Sequence, residues 1–320
     1  MQLQPANTAF LFPGQGSQQV GMGRELAEVF PVARDTFARG DELLGFHLTR
    51  LAWEGPESEL NDTINTQPAL FVHSMAVLDV FRELYPGFQP GSVAGHSMGE
   101  LSALVAGGAL GFSDGLRLVR MRGQLMKRAG EISPGGMAAI LGLDIPTLER
   151  ICAEASIQAR GGGTEIVQVA NDNCPGQVVI SGARPALERA LALAQAAGAR
   201  RAIPLPISIA AHSPLMANSQ EDFNQAVEST TINDPTIPIV GNVTAQRLTT
   251  TQQLRLDLQA QLTHRVRWAE SVQLMIQQGI TTFLELGTGS VLVGLLKRID
   301  VQAIGIPLGT PTDFEKLNAV

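Results

Sequence analysis

The stretch Ser92-Val93-Ala94-Gly95-His96-Ser97-Met98-Gly99-Glu100 decides the fold class. Ser92–Gly95 reads as a short strand, and a helix begins near Met98. Between them lies Gly95-His96-Ser97-Met98-Gly99, a turn of G-x-S-x-G form. In a strand–turn–helix corner of this kind the serine hydroxyl is lifted clear of the C-terminal edge of the sheet. The helix behind it offers free backbone N–H groups and the positive end of its dipole to a developing oxyanion. On either side the same alternation recurs. Thr8–Phe12 reads as a strand, followed by the turn Pro13-Gly14-Gln15-Gly16-Ser17 and a helix from about Met22. Pro68 opens a helix to about Tyr85, because a proline in the first turn costs no hydrogen bond. Repeated strand, turn and helix predict a parallel α/β sheet covered on both faces.

The rhythm changes in the middle of the chain. Gly136–Gly142 reads as a strand, Ile145–Ala155 as a helix, and Ile166–Ala170 and Gln177–Ser181 as two strands. Pro185–Ala197 is then a helix and Arg201–Leu205 a strand. The order β-α-β-β-α-β is that of a ferredoxin-like unit. Residues 131–206 are therefore expected as a small subdomain inserted into a large α/β domain of residues 1–130 and 207–320, with further strands near Ile237–Val240 and Thr282–Leu286. Gly161-Gly162-Gly163 lacks a following Lys-Ser/Thr and reads as a hairpin or loop rather than a phosphate loop.

Composition bounds the function. A chain of 320 residues can bury a large core, and 44% hydrophobic with 17% charged residues is ordinary for a globular protein. A formal charge of −7 argues against nucleic acid as a main partner. Cys152 and Cys174 fit neither a disulfide framework nor a metal site and read as reduced structural thiols. The N-terminus has no signal-peptide order, and no apolar run approaches the ~20 residues of a membrane span. A cytoplasmic protein, with no membrane contact, is the expectation.

A serine at its ordinary pKa needs a base. Of His47, His73, His96, His212 and His264, His73 lies inside a helix and His47 in an amphipathic stretch. His96 adjoins the serine, but neighbouring residues of such a turn point apart, which suits a turn-stabilising role. His212 follows the apolar strand Pro204–Ile209 and precedes Ser213-Pro214. That places it on a loop at a strand's end, where open α/β sheets carry function. His212 is the candidate base. Helix Asp114–Ala129 adds a second clue. At ~100° per residue, Leu118, Val119, Arg122, Leu125 and Met126 share one face, with Arg117, Arg120, Gln124, Lys127 and Arg128 opposite. A guanidinium on a buried face needs a partner, either a core carboxylate or the carboxylate of a substrate. Periodicity leaves both open.

These residues sit among others that resemble the malonyl-CoA:acyl carrier protein transacylases of bacterial fatty-acid synthesis. The likeness runs through Phe12-Pro13-Gly14-Gln15-Gly16-Ser17-Gln18, Thr66-Gln67-Pro68-Ala69-Leu70, Gly95–Glu100, Met121-Arg122-Gly123, Asn171 to Gly182, His212 to Met216, Val266-Arg267-Trp268 and Glu285-Leu286-Gly287. It implies an α/β-hydrolase-like large domain with the ferredoxin-like insertion, and an active site in the cleft between them. It implies a ping-pong transfer in which Ser97 takes the malonyl group from coenzyme A and passes it to the phosphopantetheine thiol of an acyl carrier protein, His212 serving both halves as base. The N–H groups of Gln15 and Met98 become the oxyanion hole, and Arg122 the carboxylate-binding arginine. Gln67, Asn171 and Asn173 become substrate-cleft residues, and a backbone carbonyl near Arg267 orients the histidine. No metal and no permanently bound cofactor is implied; the phosphopantetheine arrives on an acidic carrier. A monomer is expected.

Ala211 departs from related malonyl-selective polyketide acyltransferases, which often carry Phe there, while methylmalonyl-selective ones carry a smaller residue. A free-standing acyltransferase loading polyketide carriers is the alternative client. A serine esterase or thioesterase would want an Asp or Glu after a strand between serine and histidine, where the ferredoxin-like stretch stands instead. A carrier-docking module without chemistry would not need Ser97, His212 and Arg122 together.

Overall fold

Alternate residues of the first strand feed two different cores, which places that strand at the centre of a layered sheet. Phe10 and Phe12 pack into one hydrophobic cluster and Ala9 and Leu11 into another, as the two-residue period of a strand requires. The structure, a computed structural model, describes residues 3–158 and 164–318; the Gly161-Gly162-Gly163 loop lies outside the described residues. Its strands are β1 Thr8–Phe12, β2 Ser92–Gly95, β3 Gly135–Leu141, β4 Ile157–Gln158, β5 Thr164–Glu165, β6 Val167–Cys174, β7 Gln177–Ala183, β8 Arg201–Pro204, β9 Ile239–Val240, β10 Arg247–Leu248, β11 Thr282–Leu286 and β12 Ile304–Leu308.

The larger sheet has the order β10-β9-β2-β1-β11-β12, parallel throughout except for the antiparallel edge pair β9–β10. Strands β1, β2 and β11 are buried along their whole length, as parallel strands covered on both faces must be. Helices Thr63–Leu84, Gly99–Ala106 and Phe112–Ile132 cover one face, and Trp268–Gln277 and Val291–Ile299 the other. The second sheet has the order β6-β7-β3-β8, antiparallel at every pairing. Helices Ile145–Ala155 and Arg184–Ala196 cover one of its faces, where Ala138, Ile140, Val178 and Ile180 meet Leu148, Ile151, Leu187 and Ala190. Its other face turns toward the large sheet: Met137, Ala170 and Val179 join the main core.

Two expectations are corrected. The helix at Pro68 begins five residues earlier, at Thr63, with the Asp62 side chain accepting from Ile64 N at its start. Proline inside a helix leaves the carbonyl four residues back without its donor. Here that carbonyl, Ile64 O, accepts from Arg120 Nη1 instead. Second, the run Pro204–Ile209 is not a strand of either sheet. The ladder stops at Pro204, Leu205 N donates to Met137 O at 2.9 Å, and Pro206 has no N–H with which to continue.

Candidate active site

Ser97 sits at the carboxyl end of β2, beside the turn that follows β1. Its backbone is left-handed, with φ of 52°, a conformation that costs an L-residue roughly 1–2 kcal/mol. The two motif glycines make the corner possible. A Cβ on Gly95 would lie 1.9 Å from Gly99 O, and one on Gly99 would lie 2.2 Å from Phe12 O. The corner is held by Asn242, whose Oδ1 accepts from Ser97 N at 2.7 Å and whose Nδ2 donates to Gly95 O at 2.7 Å. His96 does not brace the turn with its ring. The ring reaches across to the small sheet, with Nε2 2.8 Å from Asn173 Oδ1, and packs edge-on against Trp268.

His212 Nε2 lies 2.8 Å from Ser97 Oγ. The other ring nitrogen, Nδ1, is 2.8 Å from Gln261 O. A carbonyl can only accept, so Nδ1 carries the hydrogen and Nε2 turns its lone pair to the serine hydroxyl. The orienting carbonyl is thus Gln261 rather than Arg267, and helix geometry explains the difference. Arg267 O accepts from Ser271 N and Ser271 Oγ in the first turn of helix Trp268–Gln277. Gln261 ends helix Thr251–Gln261, where carbonyls lack a partner four residues on. Arg267 contributes elsewhere: its N–H donates to Asn242 O at 2.8 Å, and its side chain pairs with Glu270. His212 is also left-handed, with φ of 57°, and Gln168 Nε2 holds its carbonyl at 2.7 Å. Burial, then the Arg122 guanidinium, push the imidazole down to about 3 despite the Gln261 bond.

Arg122 projects from helix Phe112–Ile132 and is 1% exposed. Nη1 donates to Gln67 Oε1 at 2.9 Å, Nε and Nη2 to Gln261 Oε1 at 3.1 and 2.9 Å, and Nη2 to Ser97 Oγ at 3.1 Å. Every one of these partners is neutral. Among the described residues Arg122 forms no ion pair; Glu100 is reached only through the Gln261 amide. Burial pulls the guanidinium down to about 10, so it stays charged at neutral pH. A buried cation held by amides and aimed at the serine is arranged for an incoming anion.

The cleft at this point has a volume of about 760 Å³. Gln15, Ser97, Arg122, His212 and Ala211 line it from the large-sheet side, and Asn171, Asn173 and Val179 from the small sheet. The backbone N–H groups of Gln15 and Met98 find no protein acceptor among the described residues, and Met98 immediately precedes the helix that follows Ser97. Gln67 stands behind Arg122. Asn171 and Asn173 are two apart on β6, although a register shift at Asp172/Cys174 bends the strand. Three residues at the centre of this network, Gln261, Asn242 and Glu100, were not picked out from the sequence. Glu100 carried a signal, a carboxylate among the small and apolar residues Gly99, Leu101, Ser102, Ala103 and Leu104. Gln261 and Asn242 act through amides and main-chain atoms, which leave no pattern.

Residues 9–303 match a family described as acyl transferase domain. Among similar proteins, a malonyl CoA-acyl carrier protein transacylase of Haemophilus influenzae is 44% identical over 314 residues, covering 98% of this chain and 97% of that one. The crystal structure of an acyl carrier protein S-malonyltransferase from Vibrio cholerae superposes with a TM-score of 0.92 at 41% identity, over 97% of this chain and 99% of that one. A malonyl-transacylase solved in complex with its type II polyketide acyl-carrier protein gives 0.91 at 41% identity, over 97% and 98%.

Proposed function

Because the chain belongs to the acyl transferase domain family, we propose that it moves a malonyl group from malonyl-CoA to the phosphopantetheine thiol of an acyl carrier protein, through a malonyl ester on Ser97. In the first half, Ser97 Oγ attacks the thioester carbonyl while His212 Nε2 takes the hydroxyl proton. The N–H groups of Gln15 and Met98 meet the oxyanion. The carbon–sulfur bond then breaks, and the coenzyme A thiolate leaves with the proton from His212. In the second half the carrier's thiol gives its proton to His212 and attacks the Ser97 ester, and Ser97 Oγ recovers the proton as it departs. No bound cofactor is needed, since both thiols arrive with the substrates. Arg122 takes the free malonyl carboxylate, Gln67 and Gln261 steady the fork, and Asn171 and Asn173 face the pantetheine arm. The reading places the enzyme in the cytoplasm as a monomer; no helix among the described residues is long and apolar enough to cross a membrane.

The observation that carries this reading is Arg122, a buried cation with no carboxylate partner among the described residues, 3.1 Å from a serine that is itself 2.8 Å from a neutral imidazole. Incubation with malonyl-CoA and no acceptor should add one malonyl mass to the peptide containing Ser97, and Ser97→Ala should abolish it. A label on another peptide, or none on folded protein, rejects the mechanism. The carrier client has a second reading, supported by the likeness to the polyketide carrier complex. Transfer to fatty-acid and to polyketide carriers, measured side by side, separates the two.

A further inference from the structure

We propose that Glu100 is an uncharged positioning residue for this reaction: its carboxyl shares one proton with Asp257 and, through Gln261 and Asn242, holds Ser97, His212 and Arg122 in mutual register. The inference rests on the function proposed above and adds the charge state that lets Arg122 receive an anion.

The contacts converge on this one side chain. Glu100 lies three residues after Ser97 and is fully buried. One carboxyl oxygen accepts from Gln261 Nε2 and the other from Asn242 N at 3.2 Å. Gln261 in turn accepts from Arg122 through Oε1, donates to Ser97 O at 3.0 Å through Nε2, and accepts from His212 Nδ1 through its main-chain oxygen. Asn242 holds Ser97 N. Each of the three chemical groups is therefore a single residue removed from Glu100.

The proton is placed by the partners. Asp257, one turn before Gln261 on the same helix, is 2% exposed and faces Glu100. Its oxygens already accept from Val243 N at 3.2 Å, Thr244 N at 3.0 Å and Thr244 Oγ1 at 2.9 Å. A buried carboxyl facing another, with no cation paired to it, holds its proton. Glu100 is that group, and its proton turns toward Asp257. Burial, reinforced by the Asp257 charge, holds the Glu100 carboxyl well above the usual range. Neither acid forms an ion pair with Lys, Arg or His among the described residues; the nearby cation, Arg122, is separated from Glu100 by the Gln261 amide. An ionised Glu100 would set a negative charge behind Arg122 and oppose the substrate carboxylate. A neutral one positions without competing.

Glutamine at 100 mimics the protonated acid: its carbonyl can accept from Gln261 Nε2 and its amide can donate to Asp257, losing only the bond from Asn242 N. The experiment compares wild type, Glu100→Gln and Glu100→Ala at neutral pH. The infrared difference between wild type and Glu100→Gln should show the carbonyl stretch of a protonated carboxyl, shifted in heavy water. In the malonyl-CoA half-reaction, Glu100→Gln should stay within about threefold of wild type in kcat/KM, and Glu100→Ala should fall by about a hundredfold. A carboxylate band lost in place of the acid band overturns the proposal. So does a Glu100→Gln variant that binds malonyl-CoA about tenfold tighter, the signature of a removed charge, or one as impaired as Glu100→Ala. If Glu100→Ala does not fold, the infrared band and the Glu100→Gln rate decide on their own. Ser97 malonylation in the wild type is scored separately, so that a failure of the transferase reading is not mistaken for a failure of this one.

Discussion

His212 is kept neutral because burial and the neighbouring Arg122 both oppose a charge on it, which puts it at about 3 rather than 6.5. The pH dependence of kcat/KM reports the free enzyme. Malonyl-CoA acylation should therefore run level as pH falls through 6.5 to about 5, and an inflection near 6.5 would mean that the imidazole is solvated. Arg122 sets the second expectation. Arg122→Ala should lower malonyl transfer by about a hundredfold, the worth of a lost pair of charged hydrogen bonds, while acetyl transfer gains relative to it. Arg122→Lys keeps the charge but not the fork and should recover only part of the loss. Unchanged malonyl preference in Arg122→Ala would assign the guanidinium to packing. Ser97, His212 and Arg122 were legible as residue types out of place: a serine between glycines, a histidine at the end of an apolar run, a cation in an apolar stripe. Gln261 was not, because what it offers His212 is a main-chain carbonyl exposed by the end of a helix. A backbone atom has no residue type to read, and the choice of Arg267 failed for that reason.

At the scale of elements, helix Phe112–Ile132 obeys its 3.6-residue period, with Leu118, Val119, Arg122, Leu125 and Met126 all buried. Its outer cations, however, are already engaged. Arg117 pairs with Asp114 at 3.2 Å, Lys127 with Asp62 at 2.5 Å and Arg128 with Asp222 at 3.2 Å, and Arg120 is bound to Ile64 O. Arg200 and Arg201, at the start of β8, are exposed and form no ion pair among the described residues. The strand they begin runs into Leu205 and Pro206 at the cleft wall. An acidic carrier should dock there in preference to the helix. Arg200→Glu with Arg201→Glu should raise the carrier KM several-fold and leave malonylation by malonyl-CoA intact, whereas Arg117→Glu should do little. Equal effects on both half-reactions would reject docking at β8. The strand readings at Thr8–Phe12 and Thr282–Leu286 match β1 and β11 to the residue. The start of helix Thr63–Leu84 was misread because the carbonyl that Pro68 leaves open is filled by an arginine 56 positions away, a tertiary contact that no local rule contains.

For the molecule as a whole, the folding equilibrium carries the cost of its buried histidines. His73 is held down to about 4 by burial, with its bond to Gly309 O opposing. The unfolded chain takes up a proton near 6.5 that the fold refuses until about 4, so this residue erodes stability as pH falls between those values. The buried carboxyls Glu100 and Glu285 are raised and act with the opposite sign, so a difference between two proteins is the clean measurement. Relative to a His73→Gln variant, which can still donate to Gly309 O, wild type should lose about 1.4 kcal/mol for each pH unit below 6.5, down to about 4. A constant difference would place His73 in contact with solvent. The alternation of strands and helices was enough to read the two-sheet layout, because period and order are local properties. What joins the sheets was not readable. Strand β6 is tied to the large sheet's side of the molecule by Val266, through Asp172 N to Val266 O at 2.9 Å and Val266 N to Ala170 O at 2.8 Å. Both bonds are main chain to main chain, and a joint of that kind is indifferent to the side chains on either side of it. The stretch 131–206 should therefore behave as an interchangeable cassette on one condition: taken from a relative at about 40% identity, it finds Val266 in register so long as it keeps Gln168 and Asn173, which reach His212 O and the His96 ring, and substrate preference then drifts in one part while the other keeps its chemistry.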